Sequence, residues 1–213
     1  LSLLLYLAVS LILASKIRGA TIFRKVYLIP MLLSSVAIAQ LWIKIYNPSN
    51  GMLNTMLGWI GVENPPLWLA DPSIVLYSIF IPILWQYAGF YILIYYAALK
   101  GIPETIIEAA KIDGASPLQI ALRIKLPLIM GVIKVTIVLA VVGSLKYFDL
   151  IFVMTGGGPN GASEVMASYM YKLAFGSYNF GYGSAVGFAL LVITLIVTYI
   201  VRKLTADKED IQY

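Results

Sequence analysis

The sequence predicts an all-α membrane fold. Of its 213 residues 61% are hydrophobic and 12% charged, and the mean hydropathy is +0.89. Water-soluble domains are closer to half apolar and about a quarter charged, so lipid is the main solvent of this chain. Five apolar runs, roughly 1–14, 26–46, 73–99, 127–150 and 181–201, dominate it. Most are long enough to cross about 30 Å of hydrocarbon as helices. Inside a bilayer every backbone N–H and C=O needs an internal partner, which a helix supplies from its own turns. The runs do not alternate apolar and polar residues as the strands of a barrel would.

The first run, Leu1 to Ala14, has no basic n-region and no cleavage site, so it does not read as a signal peptide. It is also shorter than the roughly 20 residues that a span needs. The expectation is a chain that begins inside a transmembrane helix.

Charge orients the runs. Lys16, Arg18, Arg24 and Lys25 follow the first; Lys100, Lys111, Arg123 and Lys125 follow the third; Arg202, Lys203 and Lys208 follow the last. The second connection, about 47–72, has no Lys or Arg but carries Glu63 and Asp71, and the fourth has only Lys172. Eleven basic residues stand on one side against one on the other, a strong positive-inside bias. The formal net charge of +5 therefore reads as topology rather than nucleic-acid affinity. The 16–25 and 100–125 loops and the C-terminus are expected in the cytoplasm. The N-terminus of the first run then lies outside, which implies one more span before it and about six in the intact protein.

No Cys and no His occur, which excludes disulfides, thiolate and imidazole chemistry and the commonest zinc sites. No phosphate-binding loop of the G-x-x-x-x-G-K-[ST] form is present, so ATP hydrolysis is not expected of this chain.

The two outward connections are more than turns. Asn47-Pro48-Ser49-Asn50-Gly51 and Asn64-Pro65-Pro66 are strong breakers. Between them Met52–Ile60 reads as a short interfacial helix with Trp59 at headgroup level. The fourth connection holds Thr155-Gly156-Gly157-Gly158-Pro159, then a short helix with Ser163 as its expected N-cap. An aromatic stretch of Tyr169, Tyr171, Phe175, Tyr178 and Tyr182 follows.

The segment from Glu104 to Pro127 reads as helix, sharp turn, helix, stop. Pro103 suits a first helical position. Glu104, Glu108 and Lys111 form a charged face, and Ile106, Ile107 and Ala110 an apolar one. Gly114 can take the left-handed conformation that ends a helix. Ser116-Pro117-Leu118-Gln119 supplies an N-cap, a first-turn proline and a capping-box glutamine. Pro127 marks the start of the next span. On capping and amphipathicity alone, this is either a rigid protrusion or a hairpin lying on the lipid surface.

Glu108-Ala109-Ala110, then Gly114, then Ile124-Lys125-Leu126-Pro127 resembles the EAA motif of the permeases of binding-protein-dependent ABC importers. The resemblance implies a type I ABC importer transmembrane domain, with five of six helices present. It implies a single permease domain over 1–213, truncated at its N-terminus, with a cytoplasmic coupling loop at 101–127. In that family the loop sits in a cleft of a separate ATPase subunit. Glu108 would form a salt bridge to that ATPase, Ala109 and Ala110 would pack closely, and Gly114 would give the bend. Asp113, Ile124, Leu126 and Pro127 complete the implied coupling set.

Further stretches resemble the carbohydrate-uptake permeases of the maltose and glycerol-phosphate type. They are Ile17-Arg18-Gly19 with Phe23-Arg24, Ile29-Pro30, Gly51-Met52-Leu53-Asn54, Phe148-Asp149-Leu150-Ile151 leading into the Gly-rich loop, and Tyr171…Ala174-Phe175…Gly181-Tyr182. The Gly-Gly-Pro loop is typical of the first permease of a heterodimeric pair. The implied partners are a second permease, an ABC ATPase dimer that binds the ATP and Mg, an extracellular solute-binding protein, the bilayer and a sugar. The chain itself is expected to bind no cofactor and no nucleic acid, and to lie in a prokaryotic plasma membrane.

A sugar path needs hydroxyl or amide partners and aromatic faces. Ser34, Ser35, Gln40, Gln86, Tyr87, Tyr91, Ser144 and Tyr147 are eligible within the runs. The resemblance places the family's sugar-contacting positions on Ser35, Gln86, Tyr87, Ser144 and Tyr147. Ser144 and Tyr147 stand where the maltose permease has Asn, a departure that argues against maltose itself. Helix–helix hydrogen bonding is the alternative role for these groups. Lys134, Lys146 and Asp149 are charges near or within spans. Lys146 and Asp149 stand at i, i+3, a spacing at which they can pair, and Lys146 is close enough to the Gly-rich loop to snorkel. Two other readings stay open: an importer permease for an amino acid or phosphate, and a polytopic membrane enzyme, for which only Asp149 is well placed.

Overall fold

The computed structural model describes residues 2–14 and 20–205, and of 20–25 the backbone only. Lys16, Arg18 and Lys208, with the Ile17–Gly19 stretch, lie outside the described residues. All regular structure among the described residues is helical. In order the helices are α1 (Ser2–Ala14), α2 (Ala20–Leu32), α3 (Ser35–Ile45), α4 (Met52–Trp59), α5 (Val75–Lys100), α6 (Glu104–Ile112), α7 (Pro117–Ile120), α8 (Leu126–Leu128), α9 (Met130–Leu145), α10 (Asp149–Thr155), α11 (Met166–Tyr171) and α12 (Phe180–Thr205). Two π-helical turns, Ala121–Lys125 and Lys172–Gly176, extend α7 and α11.

The apolar runs are largely helical, and among the described residues Val75–Lys100, Met130–Met154 and Phe180–Thr205 are each long and apolar enough to cross a membrane, while Val26–Leu32 with Ser35–Ile45 pass the same test only together, as a broken pair. The run 26–46 is not one helix. It divides at Leu33–Ser34, where the Ser34 hydroxyl accepts the Ala37 N–H at 3.2 Å and starts α3 afresh. The polar cap sits inside an apolar run, so hydropathy alone conceals it. The run 127–150 also breaks, because α9 stops at Leu145 and α10 starts at Asp149.

The chain falls into two compact units. The first comprises Leu1–Met31, Tyr87–Val141 and Thr198–Tyr213, and its core is Tyr6, Leu7, Leu13, Ile92, Tyr95, Leu99 and Ile129. Polar side chains buried in this unit find partners inside it. Ser10 donates to Tyr6 O at 2.6 Å, and the Tyr95 hydroxyl meets Thr136 Oγ1 at 2.7 Å. With no water in a hydrocarbon layer such hydroxyls must find internal acceptors. Gly89 allows a close approach, since a Cβ there would stand 2.5 Å from Tyr27 O.

The second unit comprises Leu32–Gln86 and Val142–Val197, and its core joins Ile38, Ala39 and Tyr46 of the α3 region to Val75 and Ile79 of α5 and Leu150, Ile151 and Met154 of α10. Helices α3 and α5 run antiparallel along a seam: Ser35 meets Gln86, Trp42 meets Trp85, and the Tyr46 hydroxyl donates to Ser78 O at 2.8 Å. The 47–74 connection folds over this end, with Trp68 Nε1 donating to Asn54 Oδ1 at 2.7 Å and Asn54 Nδ2 to Pro48 O at 3.2 Å. The short helix expected over Met52–Ile60 is α4, and Trp59 at its end is 79% exposed.

Candidate functional site

The loop from Glu104 to Leu128 is a helical hairpin built by local signals. Helix α6 begins after Pro103, which is its N-cap rather than its first helical residue. It ends where Gly114 adopts φ +79°. That turn lets the Ala115 N–H reach Ala110 O at 2.9 Å and the Gly114 N–H reach Lys111 O at 3.1 Å, closing the helix end. The capping box then forms as the sequence predicts: the Ser116 hydroxyl accepts the Gln119 N–H at 3.3 Å, and Gln119 Oε1 accepts the Ser116 N–H at 2.8 Å.

Pro127 does not start the next span. It lies inside α8, and α9 begins only at Met130. Proline cannot donate to the carbonyl four residues back and its ring crowds that carbonyl. The π turn over Ala121–Lys125 widens the helix just ahead of it, with the Leu126 N–H bonding to Ala121 O. Such turns concentrate at functional segments.

Ala110 and Ile120 are buried, whereas Glu108, Ala109, Asp113 and Gly114 are exposed and Ile124 and Leu126 half-buried. Glu108 forms no ion pair among the described residues. Ile112 is 86% and Leu118 67% exposed on either side of the turn. Along the turn and the second arm lies a groove of about 310 Å³ lined by Asp113, Gly114, Ala115, Gln119, Arg123 and Ile124. The hairpin thus presents a stiff turn with two uncovered aliphatic side chains, flanked by free charges.

The polar residues of the spans are only partly assembled. Gln86 Nε2 donates to Ser35 Oγ at 3.3 Å, and Gln86 is buried. Its Oε1 has no hydrogen-bond partner among the described residues, and neither has the indole N–H of Trp42 on the same seam. Tyr147 packs against the second unit's core, and Ser144 is exposed. Tyr87 is exposed and belongs to the first unit. Trp42 was not among the eligible residues, since an indole in an apolar run reads as packing.

Lys146 and Asp149 do not pair. The helix on which i, i+3 spacing would bring them together is interrupted between them, leaving Lys146 in a turn and Asp149 as the first residue of α10. Asp149 there faces the positive end of its own helix. Nor does Ser163 cap α11, which starts at Met166 after Val165. Ser163 is fully buried instead, donating to Gly158 O and sharing a hydrogen bond of 2.8 Å with Thr155 Oγ1. Beside it Glu164 accepts from Ser168 Oγ and pairs with Lys172 Nζ.

Comparison with known proteins gives this arrangement a context. Residues 6–208 match the family described as binding-protein-dependent transport system inner membrane component. A probable ABC transporter permease of Pyrococcus horikoshii is 39% identical over 197 residues, 92% of this chain and 68% of that protein. The trehalose/maltose transport system permease MalF of Thermococcus litoralis is 35% identical over 210 residues, 97% of this chain and 70% of that protein. A bacterial ABC transporter importing the acidic polysaccharide alginate has been solved in complex with an alginate pentasaccharide-bound periplasmic protein. A chain of that complex superimposes with a TM-score of 0.87 at 25% identity, covering 94% of this chain and 70% of its own length.

Proposed function

Since this chain belongs to the binding-protein-dependent transport system inner membrane components, we propose that it carries a sugar or small oligosaccharide inward and couples to a separate ATPase through the hairpin Glu104–Leu128. That it is an ABC importer permease follows from the family and from relatives such as the permeases of Pyrococcus and Thermococcus. The saccharide is favoured because the trehalose/maltose permease and the alginate importer are similar over 97% and 94% of this chain.

One observation carries the coupling reading: a doubly capped, π-adjusted hairpin that holds Ile112 and Leu118 away from any core. A lone exposed aliphatic side chain is ordinary. Two held on a rigid turn beside the unpaired Glu108 form an insert for a complementary groove on a partner. The ATPase dimer would bind and hydrolyse ATP with its Mg, and its closure would displace the hairpin. Because α6 to α9 follow one another with breaks only at 113–116 and at Ile129, that displacement passes directly to the foot of a span. The spans then shift population between two packings, one open to each side.

Along the path, Ser35, Gln86, Tyr87, Ser144 and Tyr147 would offer hydroxyl, amide and aromatic contacts to the solute. Support comes from the buried Gln86 Oε1 and Trp42 N–H, an acceptor and a donor left open on one seam. Leaving such groups unpaired costs about 1–3 kcal/mol each, so they mark a place where solute hydroxyls can bond. The second permease would close the other half of the path, and an extracellular solute-binding protein would deliver the sugar.

The test is ATP-dependent uptake by vesicles holding this chain with its second permease, ATPase and binding protein, offered a neutral disaccharide, a uronate oligosaccharide, an amino acid and phosphate. Uptake of either saccharide supports the reading; uptake of the amino acid or phosphate alone defeats it.

A further inference from the structure

Lys146 stands at the break between α9 and α10, in the turn that follows Leu145. It is exposed, and its ammonium has no ion pair and no hydrogen bond among the described residues. With Gly187, Leu190, Leu191, Thr194 and Leu195 it lines a groove of about 370 Å³. That volume falls in the range of about 300–1,000 Å³ usual for small-molecule sites.

The groove lies far from both ends of its helix. Leu191 is about 16 Å from the first residue of α12 and about 21 Å from the last, at about 1.5 Å per residue. An ammonium at that depth is unfavourable unless oxygen acceptors surround it. The groove's own walls are mostly leucine, and the hydroxyl proton of Thr194 is committed to Leu190 O at 2.7 Å. Asp149, the nearest acid in sequence, sits on the far side of the helix break and does not reach it. Interrupted spans are where transporters build their solute sites, because the free backbone and side chains there face a cavity. Gly187 lines the groove, and a Cβ there would stand 2.9 Å from Met170 Sδ.

Resting on the saccharide reading above, we propose that Lys146 is a solute contact of the translocation path, its ammonium donating to oxygen atoms of the sugar. A lysine offers three donors and no acceptor, so its match is an oxygen cluster: ring and hydroxyl oxygens of a neutral sugar, or the carboxylate of a uronate. Ser144, two residues earlier on α9, is exposed as well.

The test uses the whole transporter, reconstituted with its partner subunits and binding protein, carrying Lys146→Met or Lys146→Arg. Uptake and direct binding to the purified complex are measured with a neutral oligosaccharide and a uronate oligosaccharide of equal length. For the probe that the wild-type complex carries, Lys146→Met is expected to lower binding by about tenfold, the scale of one charge-assisted hydrogen bond. Lys146→Arg is expected to stay within about threefold, since it keeps the charge and the donors. Which probe responds identifies hydroxyl or carboxylate as the contact. Wild-type binding and uptake by Lys146→Met overturns the proposal. So does a Lys146→Met complex that loses its second permease on purification while binding sugar normally, which would make Lys146 a subunit contact. A wild-type complex that carries neither saccharide defeats the sugar reading itself, a different failure from a silent Lys146→Met.

Discussion

A Cβ placed on Gly157 would stand 2.5 Å from the carboxylate oxygen Oε2 of Glu164. The missing side chain is what lets that carboxylate close over the Gly156–Gly161 turn. Glu164 then reaches Ser168 and Lys172 on the next helical segment, while Thr155 and Ser163 tie the turn's two ends together. Gly157 also has φ +85°, where an L side chain is strained.

Gly157→Ala is therefore expected to destabilise the protein by about 1–3 kcal/mol, from strained backbone and the displaced carboxylate together. Glu164→Gln, which keeps the shape and loses only a partly exposed ion pair, is expected to cost about 1 kcal/mol or less. Thermal unfolding in detergent separates them, and equal shifts would contradict the arrangement.

Tyr95 and Thr136 make a second testable pair. Thr136 Oγ1 gives its proton to Ile133 O at 2.8 Å, so at the 2.7 Å contact the Tyr95 hydroxyl is the donor. Thr136→Val strands that buried donor and also removes the bond to Ile133, at about 1–3 kcal/mol, whereas Tyr95→Phe leaves only an acceptor lone pair unused. The double variant is expected to lose less than the sum. Strict additivity in unfolding measurements would mean the two hydroxyls do not interact.

Asp71 opens the turn that leads into α5. The Ser73 hydroxyl donates to its Oδ1 at 2.7 Å and the Ser73 N–H at 2.8 Å, which hold the carboxyl below its usual range. A depressed folded value means that the turn's contribution is present at neutral pH and is lost as pH falls through that value. Ser73→Ala removes the larger cause and is expected to move the Asp71 titration upward toward an ordinary aspartate. Carboxyl chemical shifts against pH measure it; an unmoved titration would assign the depression elsewhere.

How much of this was legible depended on how local the signal was. The hairpin caps at Gly114, Ser116 and Gln119 lie within four residues of what they bond to, and composition alone marked them. The five apolar runs were equally plain, because hydropathy sums over a whole helix. The interruptions inside those runs were not. Ser34 caps α3 from within an apolar stretch, and the α9–α10 break at Lys146–Phe148 carries neither Gly nor Pro. The π turn before Pro127 is a geometric answer to a proline that reads in sequence only as a stop. Ser163 looked like an N-cap because it precedes a helix, but its hydroxyl goes to Gly158 and Thr155 across the turn. The open polar atoms of Trp42 and Gln86 depend on which face of α3 meets α5, and spacing within either run alone does not give that.

The central claim is that the hairpin Glu104–Leu128 transmits ATP-driven motion to the spans, and Glu108 tests it most directly. The measurement is sugar uptake together with ATPase recovery in the membrane complex carrying Glu108→Lys, with insertion of the chain checked by membrane fractionation. The expected result is a normally inserted chain that no longer retains the ATPase and has lost nearly all uptake. A Glu108→Lys complex that keeps its ATPase and transports at the wild-type rate would contradict the account.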